Sequence, residues 1–172
     1  HTITKEQTDN FAQIGSTVNY TIRATFPAYT NSEGETLEQF AITDTPTGLD
    51  INENDVTVML GTEELTETDS EITIDKNTET GVLTVTFNSS VLTEANAGKD
   101  ITITYTAIVT DTNYNNSVAG SSSTTDYNGS TTTGSNGSIE ITKVDAEKSS
   151  DVLKGAEFWV YDLGVNGTWD AE

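Results

Sequence analysis

"DITITYTAIV", Asp100 to Val109, decides how this chain is read. Ile101, Ile103, Tyr105, Ala107 and Val109 occupy every second position, with threonines filling most of the gaps. Side chains two apart in a strand share a face, so the stretch reads as a long strand with one apolar side. Working outward, Val18, Tyr20, Ile22, Ala24 and Phe26 repeat the pattern in "VNYTIRATF", and Leu83, Val85 and Phe87 repeat it in "GVLTVTF". Shorter strands are expected near 3–6, 37–44, 55–60, 71–75 and 117–123, and "LTEANAG" reads as a single helical turn. Turn-forming clusters such as "TNSEGE", "IDKNTETG" and "NAGKD" separate the strands. No stretch carries the spacing of an amphipathic helix. Many short strands joined by turns define an all-β fold, an immunoglobulin-like antiparallel β-sandwich.

The chain has 172 residues, enough for one full domain and part of another. A first domain is expected over 1–127. "NGSTTTGSNG", 128–137, is poor in apolar residues and reads as a linker or an exposed connection. From 138, "SIEITKVDAE" restarts the alternation with Ile139 and Ile141. Only 138–172 follow, too few for an independent core, so a second, partial β-domain is expected. The chain starts at His1 and stops at "GTWDAE", which reads as a trimmed fragment, with neither a signal peptide nor a C-terminal sorting signal in view.

Composition excludes several function classes. The formal net charge is −21, from 28 acidic and 7 basic residues. Phosphate recognition needs clustered Lys and Arg, so no nucleic-acid partner is expected, and the charge serves solubility. Threonine, which favours strands, makes up about a fifth of the chain. There is no cysteine, hence no disulfide, thiolate metal site or cysteine nucleophile. No apolar run approaches the ~20 residues of a membrane span, so no membrane insertion is expected. With His1 the only histidine, there is no Ser-His-Asp system and no histidine metal cluster; no Gly-rich phosphate loop is found, and no cofactor is expected. Asp50, Asn52 and Asn54 match the first three positions of a calcium loop, but Asp55 replaces the required Gly and Gly61 the final Glu. Triplets such as "NYT" and "NGS" are frequent by chance in so Asn-, Ser- and Thr-rich a chain. Tyr114, Tyr127, Trp159 and Trp169 are scattered aromatics, which more often serve core or rim than a sugar-binding surface.

Three polar residues fall in phase with the core. In "FAITDTPTGLD", Phe40 to Asp50, Asp44 follows Phe40 and Ile42 on one face. In "HTITK" Lys5 shares a face with Ile3, and in "NNSVAG" Asn116 shares one with Val118. Taken singly, a strand-end Lys snorkels to solvent, an Asp before "TPTG" caps a turn, and an Asn in "YNNS" sits in a loop. Taken together they suggest chemistry. Burial favours a neutral, nucleophilic amine. A buried carboxylic acid can carry protons, and a buried amide offers an electrophilic carbon. Held in contact, amine and amide can condense to a Lys–Asn isopeptide bond with loss of ammonia, proximity replacing much of the activation.

"ITKEQTDNFAQIGSTVNYTI", "FAITDTPTGLDI" and "GKDITITYTAIV…NNSVAG" resemble, in that order, the blocks of the fimbrial isopeptide-forming domain of Gram-positive pilins. The resemblance covers roughly residues 1–127, and "TDTPTGL" is its most specific part. It implies Lys5 as nucleophile, Asn116 as acyl partner and Asp44 as proton-shuttling acid, with the bond tying the first strand to the last. Asn115 is the competing acyl partner; phase with Val118 favours Asn116. "SIEITKVDAEKSSDVLKGAEFWVYD" resembles the opening of a Cna-B-type pilin domain, which implies Lys143 as a possible second crosslink lysine whose partners lie further on. The resemblance implies a structural subunit, of the shaft, of a sortase-assembled, cell-wall-anchored surface pilus. The reaction is a single self-crosslinking event, not enzymatic turnover. Implied partners are neighbouring pilin subunits joined through sortase. No "YPK"-like motif marks Lys76, Lys99, Lys148 or Lys154 as the joining lysine, and no "LPxTG"-like signal is seen. Two rivals stand beside this reading: an adhesin module binding host matrix protein or glycan, and a plain β-sandwich stalk without a crosslink.

Overall fold

A computed structural model describes residues 1–137, which form one compact unit. The expected Cna-B-type segment and Lys143, Trp159 and Trp169 lie outside the described residues.

Eleven strands form two antiparallel sheets. The first sheet contains β1 (Thr4–Gln7), β2 (Thr17–Thr25), β9 (Asp100–Val109), β5 (Thr57–Leu60) and β6 (Glu63–Leu65) in that order, and β4 (Leu49–Ile51) also pairs with β9. The second runs β11 (Ser130–Ser135), β10 (Asn113–Ser122), β3 (Phe40–Thr47), β8 (Leu83–Phe87) and β7 (Ile72–Lys76). The single helical turn expected in "LTEANAG" is the 3-10 turn Glu94–Asn96, and another short 3-10 turn, Ser89–Val91, precedes it.

The period-two pattern becomes the core directly. On β9, Ile101, Ile103, Tyr105, Ala107 and Val109 are all buried, and their cross-strand partners on β2 are Ala24, Ile22, Tyr20 and Val18, with Thr17 beside Ile108 at the strand end. The second sheet answers with Ile42, Leu83, Val85, Phe87, Tyr114 and Val118. A one-residue slip would turn all of these to solvent, so burial holds the register. Phe26, Phe40 and Phe87 pack at one end of the sandwich, with Phe40 and Phe87 stacked at 4.5 Å. The stacked pair Tyr20–Tyr105, at 5.4 Å, fills another part of the interior.

The "TDTPTGL" block is a corner between sheets. β3 belongs to the second sheet and β4 to the first, and Gly48 joins them at φ +69°. A Cβ there would sit 2.2 Å from the carbonyl oxygen of Asn113, so the corner admits only glycine.

Two expectations need correction. The stretch 128–137 is not a linker: Ser130–Ser135 is strand β11, paired along β10 from Asn113↔Ser135 to Val118↔Ser130. It is an edge strand built of Thr, Ser and Gly, so it lacked the apolar alternation that marks the others. Gly134 lies against the Tyr114 ring, where a Cβ would come within 2.3 Å. In consequence Asn116, on β10, is in the penultimate strand of the described unit, not the last.

Candidate functional site

Lys5, Asp44 and Asn116 meet inside the sandwich. β1 carries Lys5 on the inner face of the first sheet, opposite Ile22. β3 and β10 carry Asp44 and Asn116 on the inner face of the second, where Val118 pairs with Asp44 and Asn116 with Pro46. The Lys5 and Asp44 side chains are 0% and 2% exposed, and Asn116 is 0% exposed. Asn115 is only half-buried and alternates to the other face, so Asn116 is the asparagine that the strand delivers to the interior.

A chain of hydrogen bonds connects the three. Lys5 Nζ donates to Asp44 Oδ1. The Tyr105 hydroxyl donates to Asp44 Oδ2, and Asn116 Nδ2 donates to Tyr105 Oη at 2.8 Å. Asn116 Oδ1 is buried without a hydrogen-bond partner. The Lys5 nitrogen also lies 5.1 Å from the Tyr20 ring centroid and 5.5 Å from that of Tyr105, within cation–π range.

These surroundings set the electrostatics. Burial lowers the Lys5 amine from 10.5 to about 8, against the charge and hydrogen bond of Asp44, which pull it upward. At neutral pH roughly one amine in ten is then unprotonated, against fewer than one in a thousand for an ordinary lysine. Burial, and then the Asp44 charge, push the Tyr105 hydroxyl well above its ordinary value. It therefore keeps its proton and acts as a hydrogen-bond donor. The site thus presents an amine with nucleophilic character, a carboxyl in contact with it, and an amide carbon whose oxygen is unpaired.

Tyr105 is the member that sequence reasoning missed. In phase with Ile101 and Ile103, it has the pattern of a core residue. The available signal was its hydroxyl, since a Tyr wholly within a core needs a polar partner.

A second Lys–Asp contact bridges the sheets elsewhere. Lys76 Nζ on β7 lies 2.5 Å from Asp50 Oδ1 on β4 and donates to the Ile51 carbonyl at 2.8 Å. These side chains are 21% and 60% exposed, at a cavity of about 300 Å³ that Asn52 and Thr106 also line. Of the residues weighed as a calcium loop, Asp50 is thus occupied by Lys76, and Asn52 caps the 3-10 turn Glu53–Asp55 by accepting from the Asn54 N–H. Tyr114, weighed as a sugar-binding aromatic, is buried; its hydroxyl donates to the Asp9 carbonyl and accepts from the Ala12 N–H, both at 3.0 Å. Among the described residues no helix is long and apolar enough to cross a membrane.

No family model and no curated protein sequence matches this chain. Solved structures do. The backbone protein of pilus 2b from group B streptococcus matches with a TM-score of 0.64 at 18% identity, over 97% of this chain and 71% of its own. The N-terminal domain of the adhesin Sgo0707 from Streptococcus gordonii matches with a TM-score of 0.60 at 19% identity, over 77% of this chain and 32% of its own. The pilus backbone protein RrgB from Streptococcus pneumoniae matches with a TM-score of 0.57 at 20% identity, over 70% of this chain and 30% of its own. The fold is therefore the β-sandwich of Gram-positive pilus backbone and surface proteins. The chain spans about a third of the RrgB and Sgo0707 chains it matches.

Proposed function

We propose that this chain is a structural part of a covalently assembled Gram-positive surface pilus, a shaft subunit, stabilised by an intramolecular isopeptide bond between Lys5 and Asn116. The observation that carries this reading is the buried chain Lys5–Asp44–Tyr105–Asn116, which places an amine and an amide from facing sheets around one carboxyl.

In the reaction, neutral Lys5 Nζ attacks Asn116 Cγ. The Nζ–Cγ bond forms, the Cγ–Nδ2 bond breaks, and one proton passes from Nζ to the departing nitrogen, which leaves as ammonia. Asp44 accepts the proton from Lys5. The event happens once per molecule, so the protein is not an enzyme in the turnover sense.

The bond serves a mechanical end. Tension entering at residue 1 and leaving at 137 passes from Lys5 across to Asn116, so residues 6–115 drop out of the load path while β11 stays in it. By analogy with a disulfide closing a loop of ~100 residues, the constraint contributes about 4–5 kcal/mol. Resistance to force and protease depends on unfolding rate more than on equilibrium. Residues 138–172 open a second, Cna-B-type domain in this reading, with Lys143 as its crosslink lysine. The protein sits outside the cell, anchored to the wall, and its partners are neighbouring subunits joined by a sortase.

The likeness to an adhesin domain favours a second reading, a module that binds host matrix protein or glycan. Incubation of the full-length protein with its sortase separates the two. Covalent ladders support the shaft subunit. A single band, together with saturable affinity for a matrix protein or glycan, supports the adhesin.

A further inference from the structure

Asp44 has to deliver a proton to the Asn116 nitrogen, yet among the described residues its side-chain hydrogen-bond partners are Lys5 and Tyr105. The Asn116 Nδ2 is bonded instead to Tyr105 Oη, at 2.8 Å. We propose that Tyr105 is a catalytic residue of the condensation, its hydroxyl passing the proton from Asp44 to the departing nitrogen of Asn116. The inference rests on the crosslinking reading above.

The transfer balances as a relay. It starts with Lys5 neutral and Asp44 protonated on Oδ2, so that the Asp44–Tyr105 contact runs from acid to phenol oxygen. As Nζ closes on Cγ, Nζ gives a proton to Oδ1 and Oδ2 gives its proton to Tyr105 Oη. Tyr105 then gives its own proton to Nδ2. The Cγ–Nδ2 bond breaks and ammonia departs. Asp44 ends as it began, a neutral acid, and Tyr105 ends as a phenol. One proton has moved from one nitrogen to the other, and no further reactant is needed.

The alternative role for Tyr105 is packing. Its ring stacks on Tyr20 and walls the amine from water. Packing needs the ring alone, whereas the relay needs the hydroxyl. The hydroxyl is also costly to bury, and here both of its contacts go to groups that take part in the reaction.

Tyr105→Phe keeps the ring and removes the relay. The full chain is made by cell-free synthesis, and loss of one ammonia is followed by intact mass spectrometry at successive times, in water and in deuterium oxide. The relay predicts a folded Tyr105→Phe protein that condenses roughly a hundredfold more slowly, the lower end of what a positioned proton donor contributes. It also predicts that the natural chain slows in deuterium oxide. Natural-speed condensation of Tyr105→Phe overturns the relay and leaves the crosslink standing. A natural chain whose rate is the same in both solvents overturns it too, even where the variant fails to fold. A natural chain that never loses ammonia overturns the crosslink itself, and the relay with it.

Discussion

Among the described residues two Lys–Asp pairs bridge the sheets of this sandwich, and only one of them is shut away from water. Lys76 and Asp50 meet at the surface, with 21% and 60% of their side chains exposed. Water screens them, and pairs of this kind contribute about 0–1 kcal/mol. Lys5 and Asp44 are 0% and 2% exposed, walled by Tyr20 and Tyr105, with an asparagine amide one hydroxyl away. In the proposed reading, what surrounds a salt bridge decides whether it is inert or reactive. Loss of water brings the amine within reach of its neutral form, and the proposed crosslink has that amine attack a third group, the Asn116 amide.

The largest effect should come from breaking the buried pair. In Asp44→Ala the condensation stops and Lys5 is left buried without its partner, which costs about 3–5 kcal/mol beyond the loss of the crosslink. A full, uncondensed mass and a steep fall in melting temperature are expected; an unchanged deficit of one ammonia would remove Asp44 from the chemistry.

Next comes Asn116→Ala, which spares the ion pair and removes the electrophile. Denaturant unfolding should show a loss of about 4–5 kcal/mol, the loop-closure contribution. Asn115→Ala should still weigh one ammonia less than its own sequence and lose little stability, because that side chain faces away from the site.

Asn116→Ala also exposes the titration of Lys5. The folded amine titrates near 8 and the unfolded one near 10.5. Between those values the unfolded chain holds the extra proton, so stability rises with pH, by at most about 1.4 kcal/mol per unit. Above about pH 10 the buried tyrosines reverse the trend. Tyr20 and Tyr105 are raised in the fold, so the unfolded chain gives up their protons first. Stability flat across pH 8–10 would show that Lys5 is not dried by its surroundings.

The smallest effect sharpens the contrast from the other side. Asp50→Ala should leave the mass deficit intact and cost no more than about 1 kcal/mol, read as a small shift in the denaturant midpoint.

Much of this was legible in the sequence, for one physical reason. Strand periodicity is a strict two, so a polar residue in phase with apolar neighbours is delivered to the interior whatever the tertiary details. That is how Lys5, Asp44 and Asn116 stood out, and why Asn116 was preferred to Asn115. The same rule concealed Tyr105, which satisfies the apolar pattern with its ring while its hydroxyl makes a contact to Asp44 that is 61 residues away in the chain. Strand β11 escaped because an edge strand of Thr, Ser and Gly has no apolar face to betray it. Its existence depends on the backbone edge that β10 offers, which no local pattern records. Gly48 was visible in "TPTG" as a turn, but not as the corner at which the chain crosses between sheets.

The account's central claim is tested most directly by peptide mapping of the unmodified folded protein. After denaturation and trypsin digestion, the account predicts a branched species, His1–Arg23 joined to Asp100–Lys143, lighter by one ammonia than its two parts, with the junction at Lys5 and Asn116. Recovery of His1–Lys5 and Glu6–Arg23 as separate peptides, with Asn116 intact in its own, would contradict it.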